Sequence, residues 1–156
     1  MAISIAVETP LQDDVRALVA DLNAYLIPLT PREYQFQLTV EQMAEPSVTL
    51  FVSRDGEGRA VGMGALKDHG GGLGEVKRMY TLPEVRGQRV GAMLLQRIEM
   101  LAQAKGISRL VLETGEAPGF EPAYRVYERG GFARCDAVLD YPDSGFSRFY
   151  EKKLDR

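Results

Sequence analysis

One stretch, residues 74–105, constrains this chain more than any other, because it sets a strand, an arginine- and glycine-bearing loop and an amphipathic helix in direct succession. Residues 74–81 read as a strand, with Val76, Arg78 and Tyr80 on one face and Glu75, Lys77, Met79 and Thr81 on the other. Pro83 breaks it, since proline offers no donor to a sheet ladder. Arg86, Gly87, Gln88, Arg89, Val90, Gly91 and Ala92 follow, and Val90, Met93, Leu94, Ile98, Leu101 and Ala102 then share one face of a helix. Lys105 and Gly106 supply the cation and the glycine that end it. A strand that feeds a helix start through such a loop is an anion site in outline. The first helical turn has unpaired N–H groups and the positive end of the macrodipole. Gly87 and Gly91 leave the main chain open to a phosphate, and Arg86 and Arg89 add charge. From the residues alone, ordinary turn glycines and solvated arginines stand as the alternative.

The length of 156 residues, 45% hydrophobic and 26% charged, suits one globular, soluble domain spanning 1–156, able to bury a core without disulfides or metals. No apolar run is long enough to span a bilayer, and residues 1–30 lack the pattern of a secretory signal, so no membrane partner is expected. The single cysteine, Cys135, excludes an internal disulfide framework and fits a reducing, cytoplasmic setting. It reads as a structural thiol, with a nucleophile as the alternative. A net charge of −3 gives no basis for a nucleic-acid partner.

Around the central stretch the remaining elements follow from local signals. Residues 3–7 alternate weakly as a first strand. Thr9, Pro10 and Gln12 predict a capped helix start, and Val15, Leu18, Val19, Leu22, Tyr25 and Leu26 form its apolar stripe up to Pro28. Residues 29–38, with Pro31, Arg32, Tyr34 and Phe36, form either a surface connection or the wall of an acceptor site. Thr39 and Gln42 repeat the capping-box spacing ahead of Pro46. Residues 48–53 and 60–66 are strands of a hairpin turning at 54–59, and Gly62 and Gly64 predict close approach of another element on one strand face. Residues 68–72 read as a flexible loop carrying His69, the only histidine, with no companion spacing for a triad or a metal. Residues 109–113 are a buried strand completing a βαβ-like unit, 121–129 a helix stopped by Gly130 and Gly131, and 132–135 and 146–152 the last strands. The fold class is α/β, α+β-like, with a mixed, mostly antiparallel twisted sheet flanked by helices.

Arg86-x-x-Arg89-x-Gly91-Ala92, after a strand and Pro83, resembles the acyl-CoA loop of the GNAT N-acetyltransferase family, with Arg89 where the middle glycine usually stands. Tyr127-Glu128-Arg129-Gly130-Gly131-Phe132 is similar to that family's Tyr-x-x-x-Gly-Phe, with Ala123 four residues ahead of the tyrosine and Phe120 where an asparagine is frequent. The resemblance implies a GNAT-type sheet and acetyl transfer from acetyl-CoA, without a metal, to an amine of a small molecule or peptide. A homodimer is also within the family's range. It implies that backbone amides of 87–92, flanked by Arg86, hold the pyrophosphate. Amides near Met79, Tyr80 and Thr81 would pair with the pantetheine arm and polarise the thioester. Tyr127 would give a proton to the leaving thiolate, against the alternative of a half-buried packing aromatic. Glu75 is either the base, acting through water, or a solvent-facing strand residue. A non-catalytic acyl-CoA-binding module is the competing reading.

Overall fold

Asp55 turns the chain back on itself: its carboxylate accepts hydrogen bonds from the backbone N–H groups of Glu57 and Arg59 at 2.9 and 3.0 Å. That turn joins β2 (Val48–Arg54) to β3 (Ala60–Gly70), and a second hairpin leads to β4 (Leu73–Thr81). The computed structural model describes residues 2–31, 33, 35 and 38–154. With β1 (Ser4–Val7), β5 (Arg109–Gly115), β6 (Ala133–Cys135) and β7 (Ser147–Lys153), these strands form one sheet in the order β1-β2-β3-β4-β5-β7-β6. Every neighbouring pair is antiparallel except β4 and β5, which run parallel. The mixed, mostly antiparallel sheet expected from the sequence is therefore the one observed.

The helices are α1 (Asp13–Leu26), α2 (Val40–Met43), α3 (Val90–Ala104) and α4 (Glu121–Arg129). α2 has the expected capping box: Thr39 Oγ1 accepts from the Gln42 N–H at 3.1 Å, and Gln42 Oε1 accepts from the Thr39 N–H at 2.9 Å. α1 does not open as expected. It starts at Asp13, with Gln12 as its N-terminal flanking residue and no side-chain cap. Thr9 Oγ1 accepts instead from the Leu11 N–H, while Gln12 is drawn into contacts with Glu8 and Arg54. Arg54 bonds Glu8 and Asp14, each at 2.7 Å, so a charged cluster outcompetes the local cap.

Residues 68–72 are also more ordered than a flexible loop. Pairing between β3 and β4 continues to Gly70 opposite Leu73, and Gly70, Gly71 and Gly72 all take positive φ. Glycine adopts that conformation without a Cβ clash, so the three together make a tight hairpin instead of a slack connection.

α3 buries Val90, Leu94, Leu95, Ile98 and Ala102 against the sheet, while Met93 and Leu101 lie half-buried at the edge of the same stripe. The expected close approach occurs at Gly64, where an added Cβ would stand 2.4 Å from Met79 Sδ and 3.1 Å from Ile98 Cδ1. α1 covers the opposite face with Val15, Leu18, Val19 and Leu22. Tyr34 and Phe36, with Arg32, lie outside the described residues. Among those described, no helix is long and apolar enough to cross a membrane.

Gly64→Val should lower unfolding stability by about 1–3 kcal/mol through overpacking against α3. A urea midpoint equal to wild type, at unchanged slope, would mean that α3 does not rest on the β3 backbone.

Candidate active site

The parting of two strands makes the site. β4 and β5 are in register only at Leu73–Arg109, Gly74–Leu110 and Glu75–Val111, and beyond these residues they separate. Between them opens a cleft of about 1510 Å³, lined on one side by residues 76–81 and on the other by Glu113, Thr114 and Gly115. A bulge in β4 aims the side chains there. Met63 faces Tyr80 and Ala65 faces Lys77, so one residue of β3 stands opposite both Arg78 and Met79. Arg78 takes a left-handed φ of 55°. This corrects the strict alternation expected from the sequence. Met79 points at α3 beside Gly64, while Arg78 reaches α1, where its Nη2 donates to Asn23 Oδ1 at 2.5 Å.

The mouth of the cleft is the loop ahead of α3. A 3-10 turn at Pro83–Val85 passes into Arg86, Gly87 (φ 88°) and Gln88, and Arg89 precedes α3 with a left-handed φ of 64°. Arg89 therefore holds the backbone angle that a glycine would take at this position, at a cost of about 1–2 kcal/mol. No side chain caps the N-terminus of α3 and no acid lies in its first turn, so the amides of Val90, Gly91 and Ala92 face the cleft with their partial positive charge unopposed. A Cβ on Gly91 would meet Val126 of α4 at 3.6 Å, an ordinary contact.

All ten residues singled out for a cofactor, Met79, Tyr80, Thr81 and 86–92, line this one cleft, and so does Tyr127. The Tyr127 ring packs near Phe132 and Tyr150, with centroids 6.2 and 5.9 Å away. Burial pushes its phenol well above the ordinary range, and the charge of Glu113 adds to the shift. It stays protonated at neutral pH, and its hydroxyl makes no hydrogen bond to another described residue. Tyr124, one turn earlier, is committed elsewhere: its hydroxyl donates to the Gly115 carbonyl and accepts from the Ala117 N–H. Phe120 closes over Gly115, where a Cβ would sit 2.1 Å from its ring.

Glu75 lies outside the cleft lining. The residue is 2% exposed, and its carboxylate is neither solvent-facing nor open to the cleft. It is bonded to His69 Nε2 at 2.9 Å, accepts from the Tyr141 hydroxyl at 2.5 Å and accepts from Lys77 Nζ at 3.2 Å. Lys77 Nζ also donates to the Tyr141 oxygen at 2.6 Å. His69, expected to be a bystander in a loop, is thus at the end of β3 and part of this cluster. Two carboxylates of the described residues line the cleft: Glu99, ion-paired with Lys152 at 2.6 Å, and Glu113, which nothing in the sequence singles out. Burial holds its pKa above the usual carboxylate range, opposed by the Ser147 hydroxyl, which donates to Oε2 at 2.7 Å, and by the Lys77 charge. Its only sequence signal is a lone acid ending an apolar strand. Among the described residues no cluster of acids, histidines or cysteines could hold a metal ion.

A family model described as "Acetyltransferase (GNAT) family" matches residues 15–132. The chain is 41% identical over 153 residues to an IAA acetyltransferase of Azospirillum brasilense, covering 97% of this chain and 98% of that one. It is similar to a crystal structure from Klebsiella pneumoniae described as an acyl-CoA N-acyltransferase, with a TM-score of 0.82, 32% identity and 98% of each chain covered. The PaiA N-acetyltransferase of Thermoplasma acidophilum, solved in complex with coenzyme A, shares the fold with a TM-score of 0.72 at 18% identity, covering 99% of this chain and 100% of that one.

Glu75→Ala should destabilise the protein by about 3–5 kcal/mol, because it leaves Lys77, only 10% exposed at its side chain, as an unpaired buried cation. Glu75→Gln, which can still bond Tyr141 and His69, should cost less. Equal denaturation midpoints for wild type and Glu75→Ala would place the carboxylate outside the stabilising network.

Proposed function

The chain belongs to the GNAT acetyltransferase family, and on that premise we propose that its cleft carries acetyl-CoA and transfers the acetyl group directly to an amine. The observation that supports this most is the continuity of the cleft. It runs from the uncapped start of α3, past the β4 edge that β5 leaves unpaired, to Tyr127. In this reading the amides of 87–92, with Arg86 and Arg89 beside them, bind the pyrophosphate. The open edge of β4 at Met79, Tyr80 and Thr81 pairs with the pantetheine arm and donates to the thioester oxygen as it becomes an oxyanion. Main-chain donors suit this task because the sheet already holds them in place before the reaction begins.

The amine must attack as a neutral nucleophile. Glu113 is the carboxylate placed to take its proton, and burial raises its basicity toward the range a general base needs. Nitrogen attacks the carbonyl carbon, the tetrahedral adduct collapses, and the C–S bond breaks to leave the amide and the coenzyme A thiolate. Tyr127 meets that sulfur. A free thiol titrates at about 8.5, below a phenol at about 10, so the hydroxyl acts by hydrogen bonding the sulfur as negative charge builds there. The amine surrenders two protons in all: one ends on the thiol and the other leaves to solvent. We place Glu75 as support for Lys77 and Tyr141 beneath this site rather than as the base. The free Cys135 thiol suits work in a reducing compartment such as the cytoplasm.

Incubation with acetyl-CoA and a library of small amines and peptides should release free thiol together with a product 42 Da heavier than the acceptor, roughly the mass of an acetyl group replacing hydrogen. Tight acetyl-CoA binding without thiol release from any amine would leave an acyl-CoA-binding module instead. Tyr127→Phe should cut kcat by about 100-fold with acetyl-CoA affinity nearly unchanged. A wild-type kcat would assign the tyrosine to packing. For Glu113, activity should be low where its carboxyl is protonated and rise as pH climbs through its elevated pKa. In Glu113→Gln that acidic limb should vanish and the rate at neutral pH should fall by about 10²-fold or more. An unchanged limb would assign the base to another group.

A further inference from the structure

Arg78 is a buried cation that the fold leaves without a counter-charge. It is 7% exposed, and no carboxylate lies within ion-pair distance of it among the described residues. A guanidinium carries five N–H donors. Asn23 Oδ1 accepts one of them, and the Nε–H is buried with no acceptor among the described residues. Burial alone pulls its pKa down to about 10, with no neighbouring charge contributing in either direction. The other cations nearby are differently placed: Lys77 is neutralised by Glu75, and Arg86 stands near the Tyr25 ring at 6.0 Å.

The position of Arg78 is as telling as its loneliness. It lines the cleft with Leu22, Tyr25 and Leu26 of α1, on the sheet face opposite α3, whose N-terminus marks the phosphate end. The bulge that brings it there holds a non-glycine residue at φ 55°, a strained backbone angle of the kind that clusters at ligand-binding positions. An unpaired buried charge is a further cost, since replacing such a group with an apolar one of similar size is commonly neutral or stabilising. Both costs are retained at one residue on the wall of the cleft.

We propose that Arg78 is the specificity-determining residue of the acceptor arm, and that the acceptor is a small amine carrying a carboxylate, which pairs with this guanidinium. The ammonium end of such a molecule faces Glu113, the acid on the opposite wall, and the carboxylate end faces Arg78. The acceptor therefore supplies the counter-charge that the protein lacks, and an amine without a carboxylate leaves the cation buried and unpaired. This inference rests on the N-acetyltransferase reading and narrows its substrate class.

The test uses the full chain with acetyl-CoA and matched pairs of acceptors, α- and ω-amino acids against their carboxamides, read as kcat/KM. For at least one pair the wild type should favour the acid by about 30-fold or more, as expected where a buried charge pair loses one partner. Arg78→Met should collapse that ratio toward one, chiefly by raising the KM of the acid, while Arg78→Lys retains part of it. The melting temperature of Arg78→Met should not fall. If that variant does not fold, wild-type inhibition decides: amine-free carboxylates should compete with the acceptor, and their amides should not. The inference is overturned if the wild type prefers carboxamides or treats all pairs alike. It is equally overturned if Arg78→Met keeps the ratio and loses only acetyl-CoA affinity. Acetylation confined to amines without a carboxylate would sink it and leave the activity standing. Thiol release with no amine at all would remove the activity itself, and the inference with it.

Discussion

The separation of β4 from β5 is the constraint on which the rest of this structure depends. Three registered positions tie the strands together at the Leu73 end, and beyond Glu75 the β4 edge has no β5 partner. An unpaired strand edge inside a protein is costly unless something bonds to it. Here it borders a cleft, and the βαβ connection that makes the pair parallel also delivers the N-terminus of α3 to the same opening. A strand edge suited to pair with an extended amide chain and a helix start suited to phosphate thus come from one topological choice.

The bulge at Arg78 and Met79 divides the labour between the two faces of the sheet. Met79 stays with α3 and fills the space that Gly64 leaves, so the cofactor side is backed by tight packing. Lys77 and Arg78 both lie toward the face covered by α1 and the 136–146 segment, where Tyr141 meets Glu75. That face is where charge accumulates in a protein whose overall charge is only −3. Most of that charge is internally matched. Lys77 has Glu75, whereas Arg78 has the neutral Asn23 carbonyl and a buried Nε–H without an acceptor among the described residues.

Local elements were legible wherever a short-range rule decided them. The capping box at Thr39, the Asp55 turn, the α3 stripe and the glycine stops at Gly106 and Gly131 depend on residues within a few positions of one another. The loop at 86–92 was legible for the same reason, and its resemblance to the family pattern pointed to the cofactor. α1 shows where such rules stop. Its local cap at Thr9 and Gln12 was sound by spacing, but Arg54, distant in sequence, drew Gln12 and Glu8 into another arrangement.

The sequence by itself determined the order of elements, the strand–loop–helix with its uncapped helix start, and the tyrosine on the last helix. Periodicity, turn chemistry and capping are written into neighbouring residues, so one dimension suffices to read them. The tertiary structure alone decided that Glu75 is turned away from the cleft and that Glu113 lines it. By strict alternation, Glu75 was as good a candidate as any; paired across the sheet, it is sealed under Tyr141, and Glu113, from a strand read only as core, lines the opening. It alone also turned Arg78 away from the face that its position in the strand assigned it. Both outcomes come from strand register, which is fixed by pairing and packing against residues far away in the chain, and a one-residue bulge is enough to exchange the faces.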